Sequence, residues 1–214
     1  MLSMSTFEFR PRTAHVALYE SMADCEIAPL LTELRTGRFT SVPFEIVTVA
    51  ESREPVTTMS GLRVVPDALL ADLDPMASDL LVLAGAAMWD AGGGQPFTAA
   101  AGRFLKAGVP VAAICGATLG LARAGLLDGR RHTSATPEYL AASGYAGAAC
   151  FVDERAVADD GLITAGPQSP VHFARATLGC LGLASGRKLQ AYEDVFHRGD
   201  VSAYPVLMQA GDAA

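Results

Sequence analysis

Short apolar runs alternate along this chain with longer stretches of helical, amphipathic period. A chain patterned that way buries itself as a mostly parallel sheet with helices on both faces. The predicted strands are residues 15–19, 44–49, 62–65, 79–84, 109–114 and 162–165, and the predicted helices 24–35, 97–107, 116–124, 137–142 and 168–183. Residues 57–65, T-T-M-S-G-L-R-V-V, set Ser-Gly between two β-prone segments and predict a hairpin adding an antiparallel edge. A second hairpin is predicted over 151–165 about the turn A-D-D-G, and a further helix beyond Arg187 with a short terminal one after it. The fold class is α/β.

With 214 residues, half of them hydrophobic, the chain is long enough for one substantial core. The expectation is a single domain over 1–214, its core about 14–183 and a C-terminal helical extension about 187–210. A formal net charge of −7 without a Lys or Arg cluster argues against nucleic acid and anionic membrane surfaces, and leaves a small molecule as the expected partner. The four cysteines at 25, 115, 150 and 180 have neither zinc-site spacing nor the density of a stapled secreted domain, so a reducing, cytoplasmic setting is expected. No cofactor and no metal are expected, and Gly92-Gly93-Gly94 opens no phosphate-binding G-K-[ST]. Residues 1–12 hold no continuous apolar leader, and no run of about 18 uncharged apolar residues follows. The nearest, 109–127, is broken by Pro110, Arg123 and Gly125.

Residues 109–122 read V-P-V-A-A-I-C-G-A-T-L-G-L-A, which places Cys115 at a strand-to-helix elbow. A helix N-terminus carries unpaired N–H groups and partial positive charge, which favour a thiolate, so Cys115 is a candidate nucleophile. In an open α/β sheet ligands collect at the carboxyl ends of strands where the strand order reverses. Three such segments belong together: 19–26, 84–90 and Cys115. Glu26, in the first turn of its helix, is placed to reach the thiol; ionised it raises the thiol pKa, protonated it lowers it, and the pair is expected to share one proton. Gly85 and Ala86 offer close backbone approach, and with the Gly116 N–H they are candidates for an oxyanion hole. Trp89 either walls the pocket or packs in the core, and Asp90 either accepts a proton or faces water. Cys25 is a resolving thiol or a small packed residue; Cys150, Cys180, His15, His172 and His197 read as packing or surface.

The elbow A-A-I-C-G-A-T, the segment L-L-D-G-R-R-H-T-S-A and the stretch from Val152 to Ala174 together resemble the ThiJ/PfpI superfamily, which is similar to class I glutamine amidotransferase domains. Residues 54–67, E-P-V-T-T-M-S-G-L-R-V-V-P-D, are most similar to its bacterial branch of intracellular protease/amidase-like proteins. The resemblance implies a flavodoxin-like three-layer sandwich, a nucleophilic Cys115, a partnering Glu26 and a homodimer, with Ala84-Gly85-Ala86 standing for the family's P-G-G oxyanion loop. Two departures bear on chemistry. Protease and amidase members carry a histidine directly after the cysteine, where this chain has Gly116; others carry one where this chain has Ala135.

Amide cleavage needs a general acid for the leaving nitrogen, worth about 10²- to 10⁴-fold. His132 is the candidate just upstream of Ala135, in a predicted strand whose alternation turns it to the opposite face unless a bulge intervenes. The expected activity is a Cys115-centred reaction with a small electrophile: glyoxalase-like on an α-oxoaldehyde, or an amide-type hydrolysis, with proteolysis not expected. The alternative is a non-enzymatic redox or stress sensor whose Cys115 is oxidised to a sulfinate.

Overall fold

A computed structural model describes residues 11–209. The N-terminal stretch read above as lacking a leader falls largely outside them, as does residue 210 at the end of the helical extension. The strands are β1 (Arg12–Ala17), β2 (Phe44–Ala50), β3 (Val56–Thr57), β4 (Arg63–Val64), β5 (Ala68–Leu69), β6 (Leu80–Leu83), β7 (Val111–Ile114), β8 (Ala156–Asp159) and β9 (Leu162–Ala165). The helices are α1 (Asp24–Thr36), α2 (Ala87–Asp90), α3 (Gln95–Lys106), α4 (Gly116–Arg123), α5 (Pro137–Ala141), α6 (Pro170–Cys180), α7 (Gly186–Phe196) and α8 (Tyr204–Leu207).

The main sheet has seven strands in the order β5-β2-β1-β6-β7-β9-β8, every pair parallel except β8 with β9. This is the flavodoxin-like α/β arrangement the sequence led us to expect. The central strands β6 and β7, Leu-Leu-Val-Leu and Val-Ala-Ala-Ile, are buried at every position because helices cover both faces. From β1 the chain first moves outward to β2 and β5, then crosses back to β6, so the order reverses between β1 and β6. A crevice forms at such a reversal, outside the carboxyl ends of the strands. Here α1 leaves β1 on one side of it and the Gly85 loop leaves β6 on the other.

Two expectations about β structure need correction. The 57–65 hairpin forms, but β3 and β4 make a separate two-stranded sheet. Its tip is tied to the start of α1, through Met59 N–H to the Met22 carbonyl and through the Thr58 and Ser60 hydroxyls to Asp24, and this draws it off the sheet edge. The antiparallel edge comes instead from the second hairpin, where Asp160 (φ 45°) and Gly161 (φ 75°) make the left-handed two-residue turn that matches strand twist. The strand expected around His132 is reduced to one isolated bridge with Phe151.

Past α6, the C-terminal helices close over the end of α1. Phe39 packs against Tyr192, Phe196 and Tyr204, and the buried Lys188 ammonium donates to the carbonyls of Phe39 (2.9 Å) and Gln209 (2.6 Å).

Candidate functional site around Cys115

The crevice is organised by one peptide unit, that of Gly85. Its carbonyl accepts the Ala23 N–H at the start of α1 (2.8 Å), and its N–H donates to Glu26 Oε2 (2.8 Å). A Cβ added to Gly85 would stand 2.9 Å from Cys115 Sγ and 2.9 Å from Glu26 Oε2. The absent side chain is what lets thiol and carboxyl meet, and the two are hydrogen-bonded.

Cys115 itself has φ 59° and ψ −129°, a left-handed conformation that costs a non-glycine residue roughly 1–3 kcal/mol and recurs at nucleophile elbows. The surroundings over-determine it. Its N–H donates to the Ala165 carbonyl (3.0 Å), while its carbonyl accepts both the Thr118 N–H (3.0 Å) and the Thr118 hydroxyl (2.6 Å). With its proton spent there, the Thr118 hydroxyl accepts from Ser134, 2.6 Å away.

Electrostatics correct one part of the sequence reading. Burial raises the Glu26 carboxyl above its ordinary range, against the opposing hydrogen bonds from Cys115 and Gly85. The Cys115 thiol is pushed up to about 12, first by burial, then by the hydrogen bond and charge of Glu26. The Gly116 N–H at the head of α4 pulls the other way and is outweighed. Cys115 therefore rests as a thiol, because desolvation and a carboxylate at contact range exceed what a helix terminus supplies.

Other predicted residues divide between the crevice and the core. Gly85 was expected to present its backbone to a ligand, but its N–H is committed to Glu26. The Ala86 N–H has no hydrogen-bond partner among the described residues, and the Gly116 N–H faces the sulfur. Trp89, read from sequence as either pocket wall or core, is wholly buried, so it does not wall a pocket. Its ring fills the space above glycines of α4, where a Cβ on Gly120 would come within 2.4 Å of it, and its Nε1–H donates to the Ala84 carbonyl (2.9 Å). The Tyr19 hydroxyl donates to the same carbonyl, so the two aromatics pin the end of β6 from which the Gly85 loop departs.

A model of the DJ-1/PfpI family matches residues 12–179 of the chain. The chain belongs to the DJ-1/PfpI family. It is 36% identical over 168 residues to the uncharacterized protease YoaZ of Bacillus subtilis, a match covering 76% of this chain and 80% of that protein. Among solved structures, the thiJ/pfpI family protein from Bacillus anthracis superposes with a TM-score of 0.86 at 34% identity, over 92% of this chain and 95% of that one. The DJ-1 superfamily protein Atu0886 from Agrobacterium tumefaciens follows with a TM-score of 0.77 at 33% identity, over 85% and 97%.

Within this DJ-1/PfpI chain, His132 does not serve the cysteine. It is fully buried, with Nδ1 bonded to the Arg130 carbonyl (2.8 Å), Nε2 to the Tyr145 hydroxyl (3.0 Å) and its ring against Phe151. Strand-like alternation sends Ser134 toward the elbow and His132 away from it. Cys25 is exposed in a surface groove with Pro29, Val171, Tyr192 and Phe196, apart from the crevice.

Sequence reasoning missed Tyr139. Its hydroxyl donates to Asp90 (2.7 Å), and its charge environment includes both Asp90 and Cys115. The only local signal is the capped helix start T-P-E-Y, which says nothing about a partner on α2. Among the described residues no three His, Cys, Asp or Glu side chains are grouped to hold a metal, and no helix is long and apolar enough to cross a membrane.

Proposed function

We propose that this DJ-1/PfpI protein uses Cys115 as a nucleophile toward small carbonyl electrophiles, with Glu26 as its proton partner. The observation that carries this reading is the Glu26–Cys115 contact across Gly85 at a strained elbow. As sulfur adds to the carbonyl carbon of an α-oxoaldehyde, the thiol proton passes through Glu26 to the carbonyl oxygen. The product is a hemithioacetal whose oxygen is held by the Ala86 and Gly116 N–H groups. Glu26 then moves a proton from C1 to C2 while the hydroxyl proton passes from the C1 oxygen to the C2 oxygen, giving a 2-hydroxy thioester, and water releases the 2-hydroxy acid and restores the thiol. The net change is aldehyde plus water to hydroxy acid. Peptide cleavage is outside the proposal, since neither family histidine position carries a histidine here.

The absence of an imidazole at the Cys115 thiol favours a second reading, a peroxide sensor. In it two equivalents of peroxide take the thiol through sulfenic to sulfinic acid, each releasing water, with Glu26 and the Gly116 N–H holding the product. Incubation with methylglyoxal and with dilute peroxide, followed by product analysis and intact mass, separates the two. Catalytic loss of aldehyde that disappears in Cys115→Ser supports the first; stoichiometric gain of two oxygens on Cys115 without turnover supports the second. Unchanged behaviour of Cys115→Ser in both arms rejects both. A cytoplasmic setting fits four unpaired cysteines. A homodimer fits the exposed Met59, Leu62 and Val65 along the β3–β4 hairpin.

A further inference from the structure

Asp90 ends α2 one residue beyond Trp89, and Trp89 lies against the elbow so closely that a Cβ on Gly116 would come within 3.1 Å of its ring. This packing holds α2 against the head of α4, near enough for the Asp90 charge to act on the Cys115 sulfur while the side chain stays exposed to solvent. From the other flank α5 packs on α4, and there the half-buried Tyr139 donates its hydroxyl to Asp90 Oδ1 at 2.7 Å. Tyr139 is itself fixed by its N–H to the Thr136 hydroxyl at the helix cap (3.2 Å). Among the described residues Asp90 Oδ2 has no hydrogen-bond partner.

Two elements that bracket the elbow helix thus clasp one carboxylate and leave one of its oxygens open. Glu26 supplies a second carboxyl at the thiol, and both acidic groups act on the sulfur. The neighbouring cation, Arg123, has its guanidinium on the Trp89 carbonyl and acts on Tyr139.

We propose that Asp90, oriented by Tyr139, sets the substrate class of the Cys115 site: cationic electrophiles, or neutral ones with a hydrogen-bond donor, are accepted, and carboxylate-bearing ones are turned away. The inference rests on the reading of Cys115 as the reacting group. A donor on the incoming molecule finds the open Oδ2, whereas an anion meets the negative charge of two carboxylates near the sulfur. An α-oxo acid falls in the rejected class, and an α-oxoaldehyde meets the accepted one only through the hydroxyls of its hydrate or a donor elsewhere on the molecule.

The test uses three methanethiosulfonates of similar size on the full-length protein: a trimethylammonium-ethyl reagent, a sulfonatoethyl reagent and the neutral methyl reagent. In each case the Cys115 sulfur forms an S–S bond to the transferred group, methanesulfinate leaves, and the thiol proton is lost to Glu26 or water. Rates for the Cys115 peptide are divided by those for a small free thiol, so intrinsic differences between reagents cancel. The expected corrected ratio of cation to anion is on the order of tenfold at low salt and shrinks as salt is added.

Asp90→Asn, an exposed substitution, should lower that ratio at least about threefold, and Tyr139→Phe should lower it less while leaving the thermal midpoint in place. A ratio near one in the unaltered protein, or one that Asp90→Asn leaves alone, overturns the inference. If the neutral reagent also fails to label Cys115, the failure lies with the reactive-thiol reading itself.

Discussion

Glutamine in place of Glu26 tests whether the carboxyl and thiol share a proton, and the structure specifies the outcome. As pH rises the carboxyl proton leaves the pair first and the thiol proton second, the latter at about 12. Across neutral pH the pair therefore holds one proton, mostly on sulfur. The reactive form is its minor tautomer, with the proton on the carboxyl and the charge on sulfur. That tautomer's share of a one-proton pair does not vary with pH. The rate of Cys115 alkylation by iodoacetamide, followed by peptide-resolved mass spectrometry, should rise through the carboxyl range, level off above it over about one pH unit, the strength of the coupling, and then rise with unit slope toward 12.

In Glu26→Gln the amide oxygen still accepts the Gly85 N–H, but only sulfur titrates. The thiol stands three units above its ordinary 9.0, so opposite an ionised Glu26 it has about a thousandfold less thiolate than an ordinary cysteine at the same pH below 9. Burial is the largest single cause and the hydrogen bond and charge of Glu26 come next; a charge at contact range shifts a titrating group by about one unit at least. The variant should then show a unit-slope profile without a flat region, and alkylate about tenfold faster at pH 9. Parallel unit-slope profiles for both proteins would show that no proton is shared, and would refute the pairing.

The same pair gives a stability prediction with a definite sign. Because the folded Glu26 carboxyl lies above its ordinary 4.5, the folded state holds that proton more tightly than the unfolded chain. The contribution of Glu26 to stability should therefore be fully present below 4.5 and be lost as pH rises through the folded value, read as the difference in urea midpoint between wild type and Glu26→Gln across this range, because Asp24 and Asp200, held low, act with the opposite sign in both proteins. Gly85→Ala should force thiol and carboxyl apart, abolishing the flat region of the alkylation profile at a cost of about 1–3 kcal/mol in denaturant unfolding. His132→Ala should cost about 3 kcal/mol, through a lost buried ring and two hydrogen bonds, yet leave Cys115 alkylation within about twofold. Leu62→Asp should turn a dimer into a monomer in sedimentation; a wild-type monomer would remove the homodimer from the reading.

The Cys115 elbow was legible because it is written locally: an all-apolar strand, one cysteine, then small residues in helical period. Glu26 and the Gly85-Ala86 loop were legible for a related reason. Each lies within a few residues of a strand end, and a parallel sheet brings such ends together. Trp89 was left open between pocket and core because a tryptophan on a glycine-rich loop looks the same in sequence whether it faces solvent or core. Which it does depends on Gly116 and Gly120, one strand and one turn away in the fold. Tyr139 escaped notice because its partner Asp90 is distant along the chain, and no periodicity encodes such a meeting.

By itself, then, the sequence determined the α/β class and the mostly parallel sheet, and it singled out three strand ends and Cys115 as the candidate site. These follow from hydrophobic period and chain geometry, which are local properties. Tertiary structure alone decided the protonation of that residue. A helix terminus favours a thiolate, but a thiol with a pKa near 12 results once burial and a carboxyl brought across Gly85 act on the same sulfur. Desolvation and through-space charge depend on what surrounds an atom in three dimensions, and neighbours in sequence do not specify it.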